Sequence, residues 1–236
     1  MATKKQLAIV QTLRRSSNQG IKVMRHALRG FLTAHKAEIM RLALAGQWDD
    51  IDKIFSDLPV KVKPALATVY GESANIIARS LGIVKKADED WADLFGPDVS
   101  FDIWNPRVVA FLESHGMELS KTVSEGLRHA CIESLAEGYK LGESIPHLME
   151  RLEKTLTDFS QARLEMIARS ETLMASQKGA IESYIQSGVI HEVKWLATED
   201  ERACDECSLL DGMTFNVSEV PGLPHPDCRC TVVPII

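Results

Sequence analysis

The chain has 236 residues, of which 45% are hydrophobic and 25% charged, and carries a formal net charge of -6. That length suits one large or two modest globular domains, and no run approaches the roughly 20 apolar residues a membrane-spanning helix requires. An aromatic share of only 6%, with abundant Ala, Leu, Glu and Lys, favours helix over strand.

The charge is unevenly distributed. Up to Arg41 there are nine basic residues against one acid, Glu38, a net of +8; the remainder carries 18 basic and 32 acidic residues, a net of -14. Lys4, Lys5, Arg14, Arg15, Lys22, Arg25 and Arg29 make this a basic head. Such a head suits nucleic acid or an acidic protein surface, or is simply a solvated cationic face. An acid-poor, Arg- and Ser-bearing start is also the composition of a transit peptide.

In chain order, one or two helices are expected from Lys5 to about Ala45, with a turn or cap at Ser16-Ser17-Asn18-Gln19-Gly20. A short helix follows from Asp49 to Phe55, ended by Leu58-Pro59. Pro64 is placed to open the next helix, which Gly82 would cap. An acidic helix is expected over 85–95, and Gly96-Pro97-Asp98-Val99-Ser100 is the best candidate boundary.

Beyond it, Asn105-Pro106 reads as an N-cap followed by proline in the first turn. Helical spacing then runs from Phe111 through Leu119 and Leu127 to Cys131, a core thiol. Ser144 and Pro146 restart the chain ahead of Leu148, Leu152 and Leu156. Ser160 should cap the longest helix, closed by Gly188. Glu171 falls on the apolar stripe of that helix, where a carboxylate is costly unless paired. Its plausible partners are Arg202 and Arg229, which would dock the C-terminal segment on the helix; the alternative is a Glu at the exposed edge of the stripe. Strands are expected at 189–195, 213–217 and 231–233.

Four of the five cysteines crowd into Cys204-Asp205-Glu206-Cys207 and His225-Pro226-Asp227-Cys228-Arg229-Cys230. This is zinc-ligand chemistry and spacing: Cys204 and Cys207 with two of His225, Cys228 and Cys230, so that four of five candidates close a tetrahedron. A disulfide fits less well, because the cysteine count is odd and no apolar signal segment begins the chain. Four protein ligands make the zinc structural, and it would staple short strands that are marginal alone. The fold class expected is therefore mainly α: a basic-headed helical region over 1–95, a helical core over 100–188, and a zinc-stapled strand and loop module over 189–236.

Phosphate loops, nucleophile elbows and His-Glu-x-x-His helices are missing, so no catalytic residue is assigned. A nuclease-like arrangement of Asp200, Glu201 and Arg202 with His225 or His191 as base is the enzymatic alternative.

Several ordered blocks carry a family resemblance: Trp104-Asn105-Pro106; Gly142-Glu143-Ser144-Ile145; Ile167-Ala168-Arg169-Ser170-Glu171-Thr172; the run from Trp195 to Cys207; Leu210-Asp211-Gly212; and His225 to Thr231. Over about residues 104 to 234 the chain resembles the Mu F-like family of bacteriophage minor head proteins, the phage head morphogenesis domain. Ser170 stands where the family usually has Thr. The resemblance implies a minor capsid protein of a tailed-phage virion, with no membrane role. It would sit near the portal and capsid interior, meet portal or major capsid protein, and act in assembly, genome packaging or delivery. It implies metal binding by the Cys and His residues above, and recasts the basic head as an arm for packaged double-stranded DNA or an acidic portal surface.

Overall fold

The structure, a computed structural model, describes residues 3–81, 102, 105–198 and 204–235. Its elements are α1 (Lys4–Leu44), α2 (Trp48–Phe55), α3 (Leu58–Ser80), α4 (Pro106–Lys140), α5 (Ile145–Asp158), a π-helical turn (Phe159–Arg163), α6 (Leu164–Ser187), β1 (Glu192–Leu196), α7 (Asp205–Leu210), β2 (Thr214–Asn216) and β3 (Thr231–Pro234). The fold is mainly α with a small C-terminal strand and loop region. The helix expected at 85–95, the Gly82 cap and the boundary at 96–100 lie outside the described residues.

Three local expectations give way to tertiary contacts. First, α1 is unbroken through Ser16–Gly20. Ser17 is buried and donates from Oγ to Ser176 Oγ at 3.1 Å. A Cβ on Gly20 would lie 2.4 Å from Val69 Cγ2 and 3.0 Å from Thr172 Cγ2, so this glycine permits close helix approach rather than a turn. Second, α3 begins at Leu58, and Pro64 lies inside it. Leu58, Val62 and Leu66 are fully buried at helical spacing, which recruits the turns before the proline. Pro64 brings no amide to the Val60 carbonyl, and it does so beside a residue that is 71% exposed. Third, Ser160 caps nothing: the helix continues from α5 through the π turn into α6, with Phe159 buried at that turn. The longest helix is α1, with 41 residues.

Asn105 does cap α4, its Oδ1 accepting from Arg107 N at 3.0 Å. Gly188, at φ +66°, ends α6 as expected.

The chain falls into two compact units. Unit 1 comprises residues 1–22, 66–109 and 169–236; unit 2 comprises 23–65 and 110–168. Since α1, α3, α4 and α6 each supply residues to both, the units interleave in sequence.

Unit 1 contains the sheet, ordered β2-β1-β3 and antiparallel throughout. Trp195 pairs with Val232 and Val193 with Phe215. Its core joins Ile9 and Leu13 of α1, Ile77 of α3, and Ala180, Ile181 and Tyr184 of α6 to Val193, Trp195 and Val232 of the sheet. Cys207, Cys228 and Cys230 belong to the same cluster. Gln6 Nε2 donates to Pro234 O at 2.8 Å, and the buried Tyr184 hydroxyl donates to Val232 O at 3.3 Å. The C-terminal module is thus built into a helical core rather than standing free. Glu182, only 5% exposed, is compensated by Arg107 at 2.8 Å.

Unit 2 is helical. Leu148, Leu152 and Leu156 make the buried stripe of α5, and Phe31 packs on Phe55 with centroids 5.3 Å apart. Arg151 bridges Glu143 at 2.5 Å and Glu137 at 3.1 Å.

Candidate metal centre

The first two candidate ligands come from a helix start. Cys204 is the extended N-cap of α7, and its Sγ accepts from Cys207 N at 3.3 Å. The Cys-x-x-Cys spacing therefore places Cys207 in the first helical turn, with free amides directed at the Cys204 sulfur.

The remaining candidates lie on a tight turn. Cys228 N donates to His225 O at 3.3 Å, and Asp227 has φ +59°, a left-handed conformation Asp tolerates better than most side chains. His225 Nδ1 lies 2.8 Å from Pro226 O. A carbonyl only accepts, so Nδ1 carries the proton and the Nε2 lone pair is left for the cluster. Nε2 sits 3.1 Å from Cys207 Sγ, which is 3.6 Å from Cys228 Sγ.

All five candidates converge. Cys204, Cys207 and His225 form one group of donors mutually within 4.8 Å, and Cys207, Cys228 and Cys230 form another. Buried Cys207 is shared by both. A tetrahedral ion with metal–sulfur bonds of about 2.3 Å needs sulfurs about 3.8 Å apart, close to the observed Cys207–Cys228 separation. The cluster can hold a metal ion.

Its electrostatics agree. The Cys207 amide lowers the Cys204 thiol pKa, and the hydrogen bond from Cys228 holds Cys230 down to about 6. Burial pushes Cys207 up to about 12, and the bond to Cys230 together with burial raises Cys228. Crowded acids divide their protons this way, whereas a cation would favour the ionised form of each. The Pro226 carbonyl raises His225. Trp195 Nε1 is buried without a well-aligned partner, yet the indole also favours the Cys230 thiolate.

This turn docks on α6 through the two residues that precede Glu171, which is itself partnered, as is Arg229. Arg169 Nε donates to Asp227 Oδ1 at 2.9 Å, and Asp227 N donates to Ser170 Oγ at 2.8 Å. Glu171 is half-buried, and Arg202 lies outside the described residues, as do Asp200 and Glu201. Arg229 is half-buried, and its carbonyl accepts from Thr198 Oγ1 at 3.1 Å. Asp227 and Trp195 were not singled out from sequence, and Ser170 only as a departure from the usual Thr; the available signal was their place within three of the resemblance blocks.

The basic head divides. Lys4, Lys5, Arg14, Arg15 and Lys22 are exposed on α1. Lys4, Arg15 and Lys22, spaced by 11 and 7 residues, share one face at about 3.6 residues per turn. Arg25 and Arg29 instead meet Glu165, at 3.1 and 3.7 Å. Among the described residues no helix is long and apolar enough to cross a membrane.

No curated relative and no solved structure matches the chain. Residues 126–233 match the family described as Phage Mu protein F like protein, a span that holds all five candidate ligands and the α6 residues beneath them. That segment is similar to the family of Phage Mu protein F like proteins.

Proposed function

We propose that this protein is a minor capsid protein of a tailed phage, placed at the portal or capsid interior and acting in head assembly or in genome packaging and delivery. The observation that carries the reading is the family match over 126–233. The C-terminal cluster would hold a structural zinc through four of its five Cys and His donors. In support, the donors are soft, largely buried and drawn from two rigid turns. The exposed Lys4, Arg15 and Lys22 face of α1 would meet packaged DNA or an acidic portal surface.

A packaged nuclease is the weaker reading. His225, its candidate base, directs one ring nitrogen at Pro226 O and the other at Cys207. Co-expression with portal and major capsid protein tests the main reading: the chain should enter purified procapsids in few copies, and its absence from them would overturn the assignment. Incubation with double-stranded DNA and a divalent metal tests the alternative, since cleavage abolished by His225→Ala would favour the enzyme. Deleting residues 1–41 would strip Ile9 and Leu13 from the core, so charge reversal at Lys4, Arg15 and Lys22 is the cleaner test of the arm.

A further inference from the structure

Beside the metal module, within unit 1, two cavities share Arg14, Ser17, Leu173 and Arg229 in their walls. The inner one has a volume of about 30 Å³ and reaches Ser176, Gln177 and Cys230. The outer one is about 300 Å³ and adds Asn18, Arg169 and Thr198. No carboxylate lines either among the described residues. Arg169 is engaged by Asp227 and Arg229 also has a partner of its own, but a guanidinium carries five N–H donors, and Arg14 and Arg229, which line both cavities, bring positive charge to the shared wall.

Gln177 supplies the second, independent observation. It is 3% exposed, and both its Nε2 and Oε1 are buried without a hydrogen-bond partner. Buried amides are nearly always satisfied, so one left open at the end of a cationic cavity calls for a polar occupant. The inner cavity holds only about two waters at ~10–15 Å³ each, while the outer one has room for a larger anion.

We propose that this cleft binds a phosphate group. Arg14 and Arg229 would flank its oxygens, and Gln177 Nε2 would donate from the inner end, through an inner-cavity water where the reach requires it; such a water also satisfies Oε1. Paired guanidinium forks with a neutral amide donor suit a tetrahedral oxyanion better than a single lysine does. The phosphate is either free in solution or part of a nucleic-acid strand. The site is separate from the Lys4, Arg15 and Lys22 face and does not depend on the virion assignment.

The test is calorimetric titration of the full chain, metal-loaded, in chloride buffer, first with inorganic phosphate and then with a short DNA strand at fixed salt. Saturable binding of phosphate is expected, weakened about tenfold or more, or about 1.4 kcal/mol, by Arg14→Ala and by Gln177→Leu, and unchanged by Lys154→Ala, an exposed cation away from both cavity walls. Binding of DNA alone, weakened by Arg14→Ala but not by Lys154→Ala, would support the site and identify the strand as the source. Equal responses in wild type and Arg14→Ala, or no binding of either probe, would overturn it. If Gln177→Leu fails to fold, the exposed Arg14 variant still decides. A Gln177→Leu protein that is more stable and binds phosphate unchanged would make Gln177 a hydrated packing residue and remove it from the site.

Discussion

Arg169 and Asp227 join α6 to the turn carrying the candidate ligands: Nε donates to Oδ1 at 2.9 Å, and the Asp227 amide returns a bond to the adjacent Ser170 Oγ. Both side chains are over a third exposed, so the ion pair contributes little alone. Its role is to hold a left-handed residue between His225 and Cys228. Ser170→Ala is expected to cost about 0.5–1.5 kcal/mol, the usual net worth of one hydrogen bond. Both Ser170→Ala and Arg169→Ala should speed metal loss to a chelator, measured with a chromogenic zinc indicator. Unchanged release rates would separate docking from metal retention.

Purified chain should carry one zinc, measured by atomic emission, and Cys207→Ser should abolish stoichiometric binding because Cys207 lies in both donor groups. Structural zinc in small modules supplies on the order of 10 kcal/mol of apparent binding free energy, so chelation should lower the melting temperature strongly. The core that the cysteines share belongs to unit 1, so the far-ultraviolet helicity of unit 2 should persist while the near-ultraviolet signal of buried Trp195 is lost. Separate substitution of Cys204, His225, Cys228 and Cys230 identifies the spare donor as the one variant that keeps its metal.

Two glycines of α1 should respond in opposite directions. Gly30→Ala meets nothing within 4 Å and should stabilise by about 0.5–1 kcal/mol through helix propensity. At Gly20 the added methyl would stand 2.4 Å from Val69 Cγ2, and overpacking of this kind typically costs about 1–3 kcal/mol. Urea denaturation of both variants checks the sign; stabilisation by Gly20→Ala would refute the close approach of α1 and α3 there.

Hydrogen bonding from Arg151 holds the Glu143 carboxyl below its ordinary value of 4.5. A folded-state pKa below the unfolded one contributes stability that is present above the unfolded value and lost as pH falls through the folded value. Wild type should therefore exceed Glu143→Gln in stability at pH 7, with the gap closing below about pH 4, read from denaturation midpoints across pH. A gap that persists at pH 3 would point to packing rather than charge.

Reversing Lys4, Arg15 and Lys22 to Glu should weaken DNA binding and flatten its dependence on salt, because each phosphate that the protein ceases to neutralise takes about 0.9 from the logarithmic slope on duplex DNA. The same reversal at Arg25 and Arg29 should instead destabilise unit 2 by repelling Glu165. Filter binding across salt concentrations, with thermal melts alongside, distinguishes the two outcomes.

Much of this protein was legible along the chain. Asn105 and Gly188 marked helix ends because caps act over a few residues. The spacing of Cys204, Cys207, His225, Cys228 and Cys230 announced one shared site because ligand geometry leaves few arrangements. Ser160 and the Ser16–Gly20 run misled for the opposite reason: their intrinsic preference for caps and turns is worth about 1 kcal/mol, and burial of neighbouring apolar side chains outweighs it.

By itself, then, the sequence determined the helical class, the family resemblance of its second half, the charge of its head and the donors of its candidate metal site, all of them properties of local pattern. Only the tertiary structure decided that α1 runs unbroken, that Arg169 and Ser170 hold the ligand turn, that the cysteines share a core with Ile9 and Leu13, and that Arg14, Arg229 and Gln177 meet around one cleft. These contacts join residues far apart along the chain, and their energies come from packing that no local window of sequence contains.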